Sequence, residues 1–263
     1  MGGTQARGTS GNNSRRGTRD GRGGLGNVLS GIVVAIGFVL FVGGFAWGAL
    51  LYQPYTVPTD SMAPTVNPGD RVLAQRIEGS EVRRGDVVVF TDAAWSATPM
   101  VKRVVAVGGD RVGCCGPNGR LTVNGTEIDE PYIAPADTTT PGRTAASGTV
   151  FEVTVPEGNL FLLGDRRGNS LDSRSHLQEA GQGTVPRSAV DARVDALAWP
   201  DARMLDRPKA FEALPGGTSR PGPLRLQVIA VVVGAALVLL GAAYGPLARA
   251  LGGGRRRERA DAR

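Results

Sequence analysis

One histidine, two cysteines and only two lysines occur in these 263 residues, although Lys and Arg together number 30. Each shortage removes a class of chemistry. Cys114 and Cys115 are adjacent, so they cannot staple a disulfide framework, and two neighbouring thiols with one imidazole fall short of a metal site. They are either a vicinal disulfide or a pair of free or intermolecular thiols. A histidine-based triad has a single possible base, His176. Aromatic residues make up only 5%, and the middle of the chain has no basic stretch interleaved with them, so a nucleic-acid surface is not expected.

Two long apolar runs are what the chain does have. Val28 to Tyr52 carries no charge, and Leu226 to Leu247 has only Gln227 as a strongly polar side chain. About 20 apolar residues cross the hydrocarbon of a bilayer, so both runs read as transmembrane helices. The first exceeds the roughly 7 to 15 apolar residues of a cleavable signal peptide. The net charge of +6 is then explained by position. Residues 1–28 hold five Arg against one Asp, residues 245–263 hold six Arg against two acids, and the stretch between is slightly acidic. Basic tails beside both spans put both termini in the cytoplasm and the intervening segment outside. Arg15 and Arg16 are followed by Gly17 and Thr18 where a twin-arginine address wants an apolar residue, so they belong to the tail. The expected organisation is a disordered basic cytoplasmic tail (1–27), a span (28–52), an extracytoplasmic domain (53–214), a Pro/Gly linker (215–224), a second span (225–247) and a second basic cytoplasmic tail (248–263).

Short apolar runs bounded by Gly, Pro, Asn or Asp predict a mainly β domain. Strands are expected at Arg71–Ala74, Asp86–Phe90, Met100–Val107, Leu121–Val123, Phe151–Val155 and Asn159–Leu163, with a tight hairpin at Asn124-Gly125. Gln53 to Val66 reads as an extended segment, and residues 134–149 as an exposed loop.

Three strings carry chemistry. In Val57-Pro58-Thr59-Asp60-Ser61-Met62-Ala63-Pro64-Thr65 a serine lies between two prolines, which hold the backbone open and extended. Thr59, two residues earlier, shares the side of Ser61 and can aim a hydroxyl at the same substrate oxygen. Lys102 stands out because the chain uses Arg almost everywhere else. It sits in an apolar strand, with Arg103 pointing to the other face. Burial there favours the neutral amine, a base that guanidinium cannot supply, although the ordinary lysine value of about 10.4 must fall far to serve near neutrality. In Gly164-Asp165-Arg166-Arg167-Gly168-Asn169-Ser170-Leu171-Asp172-Ser173-Arg174, Ser170 is a candidate partner that orients the amine, and Asp172 with Arg174 a candidate ion pair holding the loop. Blander readings fit each string alone: loop hydroxyls satisfying local backbone, and a strand lysine whose amine reaches water.

Together these strings, with Arg84-Gly85-Asp86-Val87-Val88 and the strand from Val101 to Val105 running on to Gly109-Asp110, resemble in order the sequence boxes of bacterial type I signal peptidases. The two-span plan and the Arg-rich, Lys-poor composition resemble enzymes of high-GC Gram-positive bacteria. The resemblance implies a β-sheet catalytic domain flanked by two membrane helices, with Ser61 as nucleophile, Lys102 as general base, the Ser61 N–H and Thr59 hydroxyl as oxyanion donors, and Ser170 as orienter of the lysine. It implies no cofactor and no metal. Expected partners are signal peptides of exported preproteins with small residues at the first and third positions before the cut, docked as an added strand against residues 56–60 and 98–101, together with membrane lipid and the secretion translocon. Asp60 stands where many relatives carry Gly, Arg166 where they often carry Asn, and Met100 where an aromatic is frequent. Asp60 is expected to point to solvent, since a carboxylate facing Lys102 would hold its proton. Two other readings remain: a catalytically inactive anchored domain that only binds exported segments, and a self-cleaving Ser-Lys peptidase of the repressor type, which needs no membrane span.

Overall fold

The computed structural model describes residues 21–133 and 146–261. Residues 1–20 and 262–263 of the expected tails, and 134–145 of the expected loop, lie outside that range, whereas residues 21–27, expected in the disordered tail, are the start of a helix. Two compact units emerge, one formed by residues 45–228 and the other by the helical segments on either side of it in sequence.

The helical unit is made from most of α1 (Gly21–Leu51) and α2 (Leu224–Asp261), which contain the stretches Val28–Leu51 and Leu224–Pro246, each with mean hydropathy 2.5 and long enough to cross a membrane. Only 11% and 17% of these stretches is buried, whereas a helix apolar all round belongs in a core or in lipid. Small residues let the two helices meet closely. A Cβ added to Gly234 would stand 2.7 Å from the Gly37 carbonyl oxygen, and the Ser30 hydroxyl donates to the Gly241 carbonyl at 2.7 Å.

The other unit is built on twelve strands among the described residues: β1 (Tyr52–Thr56), β2 (Arg71–Arg76), β3 (Val87–Phe90), β4 (Met100–Val107), β5 (Arg111–Cys114), β6 (Leu121–Val123), β7 (Thr126–Glu127), β8 (Phe151–Thr154), β9 (Asn159–Leu163), β10 (Thr184–Pro186), β11 (Val190–Trp199) and β12 (Arg203–Met204). The larger sheet has the order β1-β2-β11-β3-β4-β9-β10, with β12 on β11, and the smaller the order β7-β6-β5-β8. Every pairing is antiparallel. The fold is thus mainly β, as expected. All four residues of β3 are buried, the pattern of a strand covered on both faces, whereas β8 alternates buried and exposed positions as a half-covered strand does. Asn124 and Gly125 both take positive φ between β6 and β7, the backbone that a two-residue hairpin demands.

Several features differ from the sequence reading. β11, the longest strand, was not expected, nor were β5 and β10. Its pattern is unreadable because Arg193 and Asp195 are buried in it, satisfied by Gln75 and Arg207 rather than by water. Tyr52 belongs to β1 rather than to the first span, and its hydroxyl donates to Asp195 at 2.9 Å. Ala146 and Ser147, expected in an exposed loop, are buried; Ala146 packs in the main apolar cluster and its carbonyl accepts from Arg167 at 2.8 Å. The Pro215–Pro223 stretch is tied down, with Arg84 donating to the Pro215 carbonyl at 2.6 Å and Ser219 donating to Asp86. Cys114 and Cys115 form the vicinal disulfide, one of the two states left open.

Candidate active site

Residues 57–70 leave β1 as a pinned loop. The Val57 N–H donates to the Asp70 carbonyl at 2.9 Å and the Gly69 N–H to the Val57 carbonyl at 2.8 Å. Val57, Met62 and Val66 are buried and anchor the chain on both sides of Ser61, while one helical bond from Val66 N–H to the Met62 carbonyl at 2.9 Å fixes the turn after it. Apolar anchors around a polar tip hold the Ser61 side chain in one place.

Lys102 arrives from β4, in register with Val88 of β3, at a point where both neighbouring strands are apolar. Its Nζ lies 2.7 Å from Ser61 Oγ, and the two residues are 4% and 7% exposed. Burial pushes the Lys102 amine below its ordinary value. The carboxylates of Asp172 and Asp165 oppose that shift and Arg174 reinforces it, so desolvation outweighs the neighbouring charges. Thr59 Oγ1 lies 3.3 Å from Ser61 Oγ, so the two hydroxyls converge as expected, but through a bend at 59–60 and a turn that starts at Ser61 rather than along an extended chain.

The loop after β9 supports this pair from behind. Asp172 accepts from the Gly164 N–H at 2.9 Å and from Arg174 Nε and Nη2 at 2.9 and 2.7 Å, while Ser173 Oγ accepts from the Leu162 N–H at 2.8 Å. Asp165 binds the fully buried Arg103 through two bonds, 2.8 and 2.7 Å, and Arg103 also donates to the Gly85 carbonyl at 2.9 Å and stacks 4.0 Å over the Tyr132 ring. Arg167 reaches Glu130 at 2.9 Å. Ser170 Oγ is buried without a hydrogen-bond partner. It packs over Gly164, where an added Cβ would collide with it and with the Ser61 carbonyl oxygen.

Asp60 is part-exposed, as expected, but it is paired there. It does not point free into solvent: Arg166 donates to it, Asn169 Nδ2 bridges both its oxygens at 3.1 Å, and the Arg166 N–H holds the Ser61 carbonyl at 3.0 Å. The two departures from the family pattern at 60 and 166 therefore pair with each other. Neither residue alone signals this, because the partners lie 106 positions apart.

The nucleophile region opens on a cleft of about 720 Å³ between residues 55–61 and 98–102, lined also by Val89, Trp95, Asn169 and Leu171. His176 is not in contact with Ser61. It stacks on Trp95 and bonds Glu179 at 2.6 Å through Nδ1, so a Ser-His arrangement has no geometry here. Among the described residues no three metal-ligating side chains converge.

Residues 26–199 match the family model described as signal peptidase, peptidase S26. The chain is 31% identical to a signal peptidase I of Mycobacterium tuberculosis (strain ATCC 25618 / H37Rv), over 67% of this chain and 72% of that protein. It is 34% identical to a signal peptidase I of Bacillus caldolyticus, over 57% of this chain and 81% of that one. A crystal structure of a signal peptidase I from Enterococcus faecalis V583 aligns with 42% of this chain and 94% of its own at 27% identity, with a TM-score of 0.34, too loose a superposition to argue from.

Proposed function

The chain belongs to the signal peptidase, peptidase S26 family, and from that premise we propose that it is a type I signal peptidase, a membrane-bound serine endopeptidase that removes N-terminal signal peptides from exported preproteins. The observation that carries this reading is the 2.7 Å contact between a desolvated Lys102 amine and the Ser61 hydroxyl. A neutral amine at hydrogen-bond distance is a general base, and an adjacent base is what a serine needs to become nucleophilic.

The substrate chain adds as a strand against residues 56–60 and 98–101, with the residues before the cut running from Lys102 toward Met100. Lys102 takes the Ser61 proton as Oγ attacks the scissile carbonyl. The negative oxygen of the tetrahedral intermediate is met by the Ser61 N–H and the Thr59 hydroxyl. Lys102 then returns the proton to the departing amine, leaving the signal peptide esterified to Ser61. A water that gives its proton to Lys102 attacks the ester, and the serine is regenerated. Ser170, whose buried hydroxyl is uncommitted, turns to the amine and keeps its lone pair on Ser61, while Asp172 and Arg174 keep the supporting loop rigid.

Two spans with basic cytoplasmic tails put the catalytic domain on the outer side of the plasma membrane, where preproteins emerge from the translocon and lipid borders the helices. Reconstituted in vesicles, the wild type is expected to cleave a preprotein with an Ala-x-Ala site, and Ser61→Ala and Lys102→Ala to lose cleavage while unfolding as the wild type does. Full turnover by Lys102→Ala would rule the dyad out. Reporter fusions to the C terminus that light up outside the cytoplasm would contradict the topology.

A further inference from the structure

Trp95 is a large side chain that the catalytic account leaves unused. Residues 91–99, between β3 and β4, form a tight structured turn: Asp92 Oδ1 accepts from the Ala94 N–H at 2.8 Å, the Asp92 carbonyl accepts from the Trp95 and Ser96 N–H groups at 3.0 and 2.8 Å, and Ser96 Oγ accepts from the Thr98 N–H at 3.0 Å. The indole is thus presented by a fixed backbone. One of its faces lies flat on the chain's only imidazole, His176, with centroids 4.4 Å apart and planes 9° apart, and it meets Phe90 edge-on at 5.7 Å. His176 is 9% exposed, anchored by its Nδ1 contact with Glu179 at 2.6 Å, while its Nε2 is buried without a partner. An unmade bond costs free energy, and what the ring presents to Trp95 is its flat face. Its effect is to stop the indole from tipping back into the domain.

Trp95 lines the same continuous cleft as Ser61 and Lys102, along with Met100 and Leu171. Leu171 is 60% exposed at the rim. In β4 the strand rises about 3.4 Å per residue, so Met100 stands about 7 Å from Lys102 along the cleft, and the turn carrying Trp95 lies further out. A peptide paired residue for residue has its last residue before the cut beside Lys102 and its third beside Met100. The next side chain on the same face, the fifth, comes beside the turn. Asp60 and Asn169, which also line the cleft, are adjacent to the nucleophile and bonded to each other.

We propose that Trp95, backed by His176, is the wall of a further substrate subsite that takes a large apolar side chain at about the fifth residue before the cut, beyond the positions that accept small residues. This rests on the docking direction proposed above. It assigns Trp95 a binding role and His176 a positioning role.

The test uses the full-length enzyme in detergent micelles and peptides that share an Ala-x-Ala site and differ only at the fifth position, alanine or leucine. Covering a leucine side chain on one face is worth about tenfold in kcat/KM, so the wild type is expected to favour the leucine peptide about tenfold, through KM. Trp95→Ala is expected to bring that ratio to about one, Trp95→Phe to keep most of it, His176→Ala to erode it and His176→Phe to restore it. A wild-type ratio near one overturns the proposal, as does a Trp95→Ala ratio still near tenfold. Equal losses on both peptides would make Trp95 a structural wall only, and weakened vesicle binding with an unchanged ratio would make it a membrane contact; either result also overturns the subsite. If the wild type cleaves neither peptide, the peptidase reading itself falls.

Discussion

Replacing Asp165 with asparagine would leave the Arg103 guanidinium inside the domain without its counter-charge. Arg103 is 2% exposed and Asp165 fully buried, and the pair is joined by two hydrogen bonds of 2.8 and 2.7 Å. The Gly85 carbonyl and the Tyr132 ring remain, both uncharged, and the Glu130 carboxylate, which also acts on Arg103, is bonded to Arg167 instead. Breaking a buried pair by removing one partner costs about 3–5 kcal/mol. For a domain of this size each kcal/mol moves the midpoint by about 2–4 °C, so thermal unfolding in detergent should fall by roughly 6–20 °C. Asp165 also opposes the depression of Lys102. Its loss, with Arg103 left without its hydrogen-bonded partner, lowers the proton affinity of Lys102 further. Because the neutral amine is the active form, the acid limb of kcat/KM should move to lower pH in those molecules that remain folded. The double variant Arg103→Met/Asp165→Leu removes both charges and should recover most of the stability. An Asp165→Asn protein within about 1 kcal/mol of wild type, or an acid limb shifted to higher pH, would refute the reasoning.

Three further outcomes follow from the site. Thr59→Val should lower kcat by about 10²-fold to 10³-fold, the usual effect of losing one oxyanion donor; wild-type turnover would mean that the second donor lies elsewhere. Gly164→Ala, whose methyl group must push Ser170 and the Ser61 carbonyl apart, should cost about 10²-fold in kcat, as a displacement near 1 Å does, and a fully active variant would show that these loops yield freely. Because Asp60 and Arg166 are 33% and 46% exposed at their side chains, a double-mutant cycle with Asp60→Asn and Arg166→Ala should give a coupling of only about 0.2–1 kcal/mol in stability, and a coupling several times larger would mean that the pair is less hydrated than described.

Sequence carried four of the eight strands of the larger sheet and the two long helices, because β3, β4 and β9 are uninterrupted apolar runs bounded by turn formers, and because uncharged stretches of membrane-spanning length have few other uses. Ser61, Thr59 and Lys102 were legible as residue types in unusual company: a serine framed by prolines, and a lysine in a chain that prefers arginine. What was lost depended on partners far away in sequence. β11 hides its period because Arg193 and Asp195 face inward, where they pair with each other and Asp195 also pairs with Arg207 from beyond β12. The Asp60–Arg166 pair joins two loops, and Ala146 and Ser147 look like exposed loop residues until Arg167 and the apolar cluster cover them. Trp95 was equally silent, since nothing local announces that an imidazole 81 positions later will lie flat beneath it. Alternation and turn chemistry are local, whereas buried charge and stacking are settled only by tertiary pairing.

The chain's poverty in lysine makes the central claim directly measurable. Enzyme labelled with ¹⁵N-lysine carries only two side-chain ammonium probes, Lys102 and Lys209, and Lys102→Arg identifies the first by deleting it. Titrated in micelles, the Lys102 signal should change with a midpoint below the ordinary lysine range, coinciding with the acid limb of kcat/KM on an Ala-x-Ala peptide. A Lys102 amine that stays protonated at a pH where cleavage runs at its full rate would contradict the account.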